Sequence, residues 1–274
     1  MIADTIQTPQ YFARSPDEFG GKIPFIVTDL IAQLNKMDCK NHEGIFRISG
    51  SARDMAELAY DLNQNRITDW TPYIQNIHTI SGTLKKYFRE LVSTDPLLPY
   101  EHFKEMTEIP DKYHDDNSMA QAFKTLFGKI SVPRRLTFQV LCQFLSSIAT
   151  CEKSKMTANN LAIVFAPSLL SPSSEKLEPE QIIEVNKKEN KAIESLIRLT
   201  DKVFGTAPVD ERYLITDQDL SVLEAPPLSE IDLPTLLEMR EIRKKSLIPF
   251  IPYNCLITQD FTRPFKPYTQ EKEK

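Results

Sequence analysis

The sequence predicts an all-α fold: a helical bundle followed by a proline-rich, partly helical C-terminal extension. Two observations carry that prediction. Apolar residues recur three and four apart through several long stretches, while no stretch alternates apolar and polar residues between hairpin turns. The chain also has 274 residues, 41% of them hydrophobic and 26% charged, ordinary values for a soluble globular protein with a sizeable core.

The elements follow in order. Pro24, favourable at a first helical position, starts a run with Val27, Leu30, Ile31 and Leu34 at helical spacing. Ser51-Ala52-Arg53-Asp54 reads as a capping box that opens a second helix with Met55, Leu58 and Leu62 inward. Ile80, Leu84, Tyr87, Phe88 and Leu91 share one face of a third, with Lys85 and Arg89 together on the opposite face. Leu136, Val140, Leu141, Phe144, Leu145 and Ile148 mark a thoroughly apolar, central helix, in which Cys142 is a buried thiol. Thr157 caps the next helix, which Pro167 should end near Phe165. A last helix from Glu180 to Phe204 turns Ile182, Ile183, Ile193, Leu196, Ile197 and Val203 inward.

Beyond Gly205 the texture changes. Pro226-Pro227, Pro249, Pro252, Pro264 and Pro267 break the chain into pieces. Leu233 to Ser246 can form one helix carrying the basic cluster Arg240, Arg243, Lys244 and Lys245. That cluster reads as a solvated face, with a weak membrane-surface or protein contact through the tail as the alternative. Pieces such as Phe250-Ile251-Pro252-Tyr253 are apolar enough to pack back on the domain. The expected organisation is an N-terminal extension over 1–15, a domain over 16–205 and an extension over 206–274.

The net charge of -5 argues against a nucleic-acid binder, which usually carries a basic field. Cys39, Cys142, Cys151 and Cys255 lie far apart, with neither a CxxC pair nor histidines at metal spacing, so a reducing compartment is expected and no metal or cofactor. The N-terminus lacks the pattern of a signal peptide, and no run reaches the length of a membrane span. A cytoplasmic monomer is the expectation. No Walker loop, HExxH or GxSxG is present, and four histidines without triad spacing give no support to chemistry of the chain's own.

The most informative stretch is His42-Glu43-Gly44-Ile45-Phe46-Arg47-Ile48-Ser49-Gly50. It sets one arginine among apolar neighbours, with a glycine near each end, in the connection between two helical patterns. Arginine is planar, permanently charged and rich in donors, which suits a phosphate or a transition state better than lysine does. Taken alone, the stretch reads as a loop with a surface arginine.

Two further segments change that reading. They are Leu84-Lys85-Lys86-Tyr87-Phe88-Arg89-Glu90-Leu91, followed by Asp95-Pro96-Leu97-Leu98-Pro99, and Lys155-Met156-Thr157-Ala158-Asn159-Asn160-Leu161 through Ala166-Pro167-Ser168. In this order and at these separations the three motifs resemble the RhoGAP domain, the GTPase-activating module for Rho-family small GTPases, from about Pro16 to about Phe204. The resemblance implies an activator and no enzyme in its own right: the chain would complete the active site of a GTP-bound Rho-family GTPase. It implies that Arg47 is the inserted arginine finger. It also implies that Arg89 braces the finger loop, that Lys85 contacts the GTPase, and that Asn160 helps hold the partner. Glu43 and Gly44 are expected to shape the loop and Pro167 to terminate its helix beside the interface.

The chain departs from the family pattern in places. Val92-Ser93-Thr94-Asp95 lengthens the link after the Lys85/Arg89 helix, Ser154 replaces a common asparagine, and Ala166 stands where glycine is frequent. The alternative in another class is a binding module that uses the same surface without activating.

Overall fold

A computed structural model of the chain describes residues 11–220 and 223, apart from 13, 93 and 173–178. The expected helix over 233–246, its basic cluster, the apolar piece 250–253 and Cys255 lie outside the described residues. Every regular element among the described residues is helical, in agreement with the predicted class.

Helix α1 (Phe25–Lys36) begins one residue later than expected, with Pro24 as its N-cap, and buries Phe25, Ile26, Leu30 and Leu34. Helix α2 (Ala52–Gln64) is capped by Ser51, whose hydroxyl accepts the Asp54 N–H at 3.3 Å. A full reciprocal box forms elsewhere, at the short turn Pro16–Glu18, where the Glu18 carboxylate accepts the Ser15 N–H at 2.9 Å. Helix α3 (Ile77–Val92) buries Ile80, Leu84, Tyr87, Phe88 and Leu91, as its periodicity requires. Met55 of α2 lies over Gly82 of α3, where an added Cβ would stand 2.2 Å from the sulfur, so the two helices approach at a position without a side chain.

Two helices, α4 (Phe103–Lys112) and α5 (Asp116–Phe127), were not drawn from the sequence. Pro110 lies inside α4, and α5 starts where the Asp115 carboxylate accepts the N–H groups of Asn117 and Ser118. Helix α6 (Val132–Ala149) is the expected apolar one, with Leu141, Leu145 and Ile148 fully buried. Burial pushes the thiol of its Cys142 far above the usual range.

Helix α7 (Ala158–Leu169) is capped by Thr157 as expected, but it runs through Pro167 to Leu169 instead of ending near Phe165. Proline removes one N–H and crowds one carbonyl a turn back. In the last turn that loss is small, and the Leu170 N–H still closes on Ala166 at 2.9 Å. The last expected helix is two, α8 (Pro179–Arg198) and α9 (Thr200–Phe204), with Leu199 between them. Ala192, Ile193, Leu196, Ile197 and Val203 are buried, whereas Ile182 and Ile183 are 43% and 57% exposed. Periodicity reports the angle around a helix and not the height at which a covering neighbour is present.

Helix α3 packs against α1, α2 and α7, and α8 packs against α4, α6 and α7. Glu189, on the inner side of α8, is 3% exposed and has no hydrogen bond or ion pair among the described residues. Burial pushes its carboxyl up to about 8, so it is mostly protonated at neutral pH.

Residues on both sides of 16–205 pack against the helices. Tyr11 and Phe12 are buried, their rings 5.1 Å from Phe25 and 5.5 Å from Tyr87. After Gly205 the chain folds back as a strap. The Tyr213 carbonyl accepts the Ile23 N–H at 2.9 Å, Ile215 is buried, and the strap ends in a single turn, α10 (Asp217–Leu220). Arg66 bonds the Asp29 carboxylate through two nitrogens at 2.7 and 2.8 Å and also reaches the Ile215 carbonyl, while Lys22 pairs with Asp219 at 2.7 Å.

The longer link after α3 has a partner. Asp95 pairs with Arg134 of α6, a buried guanidinium that also bonds Asp17 at 2.7 Å and the carbonyl of Pro96. A buried charge needs such saturation, so the extra residues of the link supply one of its carboxylates.

Candidate functional site: an arginine loop on an aromatic anchor

The connection between α1 and α2 is held from beneath by Phe46. Its side chain is fully buried, with ring centroids 4.9 Å from Phe165 of α7 and 6.1 Å from Phe144 of α6, both edge-on. That burial stabilises the loop by about 2 to 3 kcal/mol relative to an exposed ring. It comes with a cost, because Phe46 has φ +67°, a left-handed conformation worth roughly 1–2 kcal/mol against an L-residue. The strain turns the chain so that Phe46 points inward while its neighbour Arg47 is exposed.

Gly44 makes the preceding turn at φ +70°. Its carbonyl accepts the N–H groups of Arg47 and Ile48 at 2.9 and 3.0 Å, and its own N–H donates to the Ser154 carbonyl at 2.8 Å. A Cβ here would lie 3.2 Å from Arg47 Nη2 and 3.1 Å from Ile48 Cδ1, so the guanidinium folds back over a bare backbone.

Lys85 closes the loop from α3. Its ammonium donates to the Phe46 carbonyl at 2.5 Å. Burial, and secondarily the charge of Arg89, pull its pKa down to about 8. Arg89, one turn on, is exposed and makes no hydrogen bond or ion pair with the described residues. Helical spacing put both cations on one face but left open which is nearer the loop. The side chain bonded to the loop is Lys85, where the resemblance had implied Arg89.

Glu43 pairs with Lys155 at 2.8 Å. The Lys155 hydrogen bond first, and more weakly the Arg47 charge, hold its carboxyl below the usual range. The Glu43 carboxylate is thereby occupied, and Arg47 has no ion pair or hydrogen bond from its side chain among the described residues. Lys155 has φ +53°, and its carbonyl accepts from Asn160 Nδ2 at 3.3 Å. Asn160, Ile163 and Pro167 are exposed and, at spacings of three and seven, share one side of α7. Glu43, Gly44, Arg47, Lys85 and Asn160 are thus joined in one run of contacts, Arg89 stands one turn from Lys85, and Pro167 lies two turns along α7 from Asn160.

Sequence reasoning missed three features. Ile48 and Ile163 are 45% and 39% exposed apolar residues flanking the site, visible only once their helices and loop are packed. Ser154, noted only as a departure, is buried and its carbonyl accepts the Gly44 N–H. Two surface clefts, of about 380 and 450 Å³, are lined by Tyr11, Arg66 and Leu220 and by Tyr113, Gln121 and Thr125 among others; no residue of the loop lines either. The site is therefore an exposed side chain on an anchored loop, lying back over Gly44, and not a cleft.

The described residues form an all-helical unit that displays, on an anchored interhelical loop, an arginine without a hydrogen bond or ion pair of its side chain among them. Residues 24–174 match the RhoGAP domain, more than half of the chain, and the protein belongs to that family. It is 32% identical over 172 residues to Rho GTPase-activating protein 15 of Gallus gallus, covering 60% of this chain and 34% of that protein. It is 37% identical over 158 residues to the active breakpoint cluster region-related protein of Xenopus tropicalis, covering 56% and 17% respectively. The matched region is thus only about a third or less of each of these relatives. Among solved structures, human Rho GTPase activating protein 15 superposes with a TM-score of 0.66 at 28% identity, over 73% of this chain and 95% of that one. The BH domain of the GTPase regulator associated with focal adhesion kinase gives 0.55 at 26% identity, over 68% and 96%.

Proposed function

We propose that this chain is a GTPase-activating protein that stimulates GTP hydrolysis by a Rho-family small GTPase, with Arg47 as its arginine finger. The observation that carries the reading is the exposed, unpaired guanidinium of Arg47 beside the buried, left-handed Phe46. As the terminal phosphoryl group departs, negative charge spreads over its oxygens. A guanidinium entering that water-poor site neutralises it with more effect than in bulk water. Such fingers contribute about 10³ to 10⁵ in rate, or roughly 4 to 7 kcal/mol off the barrier. The phosphate, magnesium and attacking water belong to the GTPase, and this chain supplies no bond-making group.

The braced loop limits the freedom lost when the complex forms. Lys85 positions the loop carbonyl, while Arg89, Asn160 and the exposed Ile48 and Ile163 face the partner. Glu43 and Gly44 shape the loop, and Pro167 flanks the contact. The favoured partner is the GTP-bound form, and tightest binding is expected to GDP with a planar phosphate mimic. On this reading the activator works as a cytoplasmic monomer; no helix among the described residues is long and apolar enough to cross a membrane. Sedimentation as a dimer would end the monomer part.

The test is single-turnover phosphate release from purified Rho-, Rac- and Cdc42-type GTPases. Arg47→Ala is expected to remove about 10³-fold or more of the stimulation while the complex still forms. Stimulated hydrolysis within about twofold of wild type would reject the finger and leave a binding module that does not activate.

A further inference from the structure

We infer that Ser154 is a positioning residue for the arginine loop, acting from the turn between α6 and α7; this rests on the finger reading of Arg47. The turn Glu152–Ser154 meets the loop through the Ser154 carbonyl. Ser154 is fully buried, and its hydroxyl contacts three main-chain groups at once. It lies 2.8 Å from the Cys151 carbonyl and 3.1 Å from the Ile148 carbonyl, and it accepts the Met156 N–H at 3.1 Å. The hydroxyl therefore ties the end of α6 to the approach to α7 in a place that water does not reach. Two carbonyls and one N–H share it, so its single proton goes to one carbonyl while a lone pair takes the N–H.

What the hydroxyl holds is the Ser154 peptide. The carbonyl of that peptide accepts the Gly44 N–H at 2.8 Å, the turn that carries Arg47. The next residue, Lys155, is held left-handed at φ +53° and pairs with Glu43. Besides the Phe46 anchor and the Glu43–Lys155 pair, the loop main chain thus receives two hydrogen bonds from outside it: Lys85 reaches the Phe46 carbonyl from α3, and the Ser154 carbonyl holds the Gly44 amide. Losing the hydroxyl leaves the Met156 N–H buried without its partner and frees the Ser154 peptide to rotate. The guanidinium then starts from a broader set of positions, which lowers the rate at saturation more than it weakens the contact.

Asparagine offers the same pair of functions, an oxygen for an N–H two residues on and a donor for a carbonyl. That makes Ser154→Asn the conservative variant.

The experiment has two readouts. In the free protein, amide exchange at Gly44 is followed by NMR for wild type, Ser154→Ala, Ser154→Asn and Ile109→Val, the last a buried destabilising control on α4. Ser154→Ala should accelerate Gly44 exchange about tenfold or more beyond any global change, Ile109→Val should not, and Ser154→Asn should restore protection. In single-turnover hydrolysis with the most responsive of the three GTPases, Ser154→Ala should lower the maximal stimulated rate about tenfold and move the half-saturating concentration less than about threefold. Unchanged Gly44 exchange, or a maximal rate within about twofold of wild type while Arg47→Ala still abolishes stimulation, would overturn the role of Ser154 alone. If Arg47→Ala leaves stimulation intact, the finger reading falls and this one with it.

Discussion

Replacing Lys85 by methionine should separate the stability of the bundle from the geometry of the loop. The substitution keeps an unbranched apolar stem in a half-buried setting and removes the ammonium that bonds the Phe46 carbonyl. Two effects on stability oppose each other. Burial first, then Arg89, bring the lysine from 10.5 to about 8; at roughly 1.4 kcal/mol per pH unit, keeping it charged costs the fold about 3 kcal/mol. Against that, a carbonyl loses a partner, a change worth about 1 to 3 kcal/mol. The net effect should lie within about 2 kcal/mol, a shift in Tm of less than about 8 °C for a domain of this size.

Activity has no such compensation. The hydrogen bond from α3 to the arginine turn is gone, and the maximal stimulated rate should fall about tenfold or more. A pH signature accompanies this. The folded pKa of Lys85 lies below the unfolded one, so between about 8 and 10.5 the unfolded chain holds more protons and stability rises with pH. Lys85→Met should lose that rise relative to wild type. Urea unfolding at about pH 7 and about pH 10, beside single-turnover phosphate release, measures all three quantities. A large drop in stability with hydrolysis unchanged would refute the reasoning, since the ammonium would then hold the fold and not the loop.

Glu189→Gln should remove a second pH dependence, of opposite sign. Burial raises the folded carboxyl from 4.5 to about 8, so its contribution is complete below about 4.5 and is lost as pH rises through about 8. The variant should match wild type near pH 5 and exceed it by about 2 kcal/mol or more near pH 8.5 in denaturant titrations; equal stability at both would place the carboxyl in water. Gly44→Ala puts a Cβ against Arg47 Nη2 and Ile48 Cδ1 on a left-handed backbone, and should cost about 1 to 2 kcal/mol. Its stimulated rate should fall as well, because the added methyl displaces the guanidinium; a rate equal to wild type would mean the resting position of Arg47 does not matter.

Much of the bundle was legible in the residue pattern because helical burial leaves a local trace. The inward faces of α1, α3 and α6 follow from spacing alone, and Thr157 names its own helix start. Where the trace is weak, reading failed for physical reasons. Helix α4 is half charged and contains Pro110, and α5 opens on polar residues and ends against Gly128, so neither shows a long apolar period. Pro167 acts as a terminator only where an N–H would have been needed. The strap after Gly205 looks like a tail because its hold on the domain comes from single carbonyls and from Arg66 and Lys22, partners separated by far more residues than any local pattern spans.

The chain's order of residues by itself determined that this is a helical protein with one arginine set apart on a short apolar turn. Only the folded arrangement decided what surrounds that arginine. Phe46 reaches two helices more than ninety residues away in sequence, Lys85 rather than Arg89 meets the loop carbonyl, Lys155 takes the Glu43 carboxylate, and Ser154 supports Gly44 from a turn the pattern had passed over. Helix formation depends on neighbours three and four positions apart, whereas an exposed, unpaired charge depends on which distant groups the packing brings near it and which it keeps away.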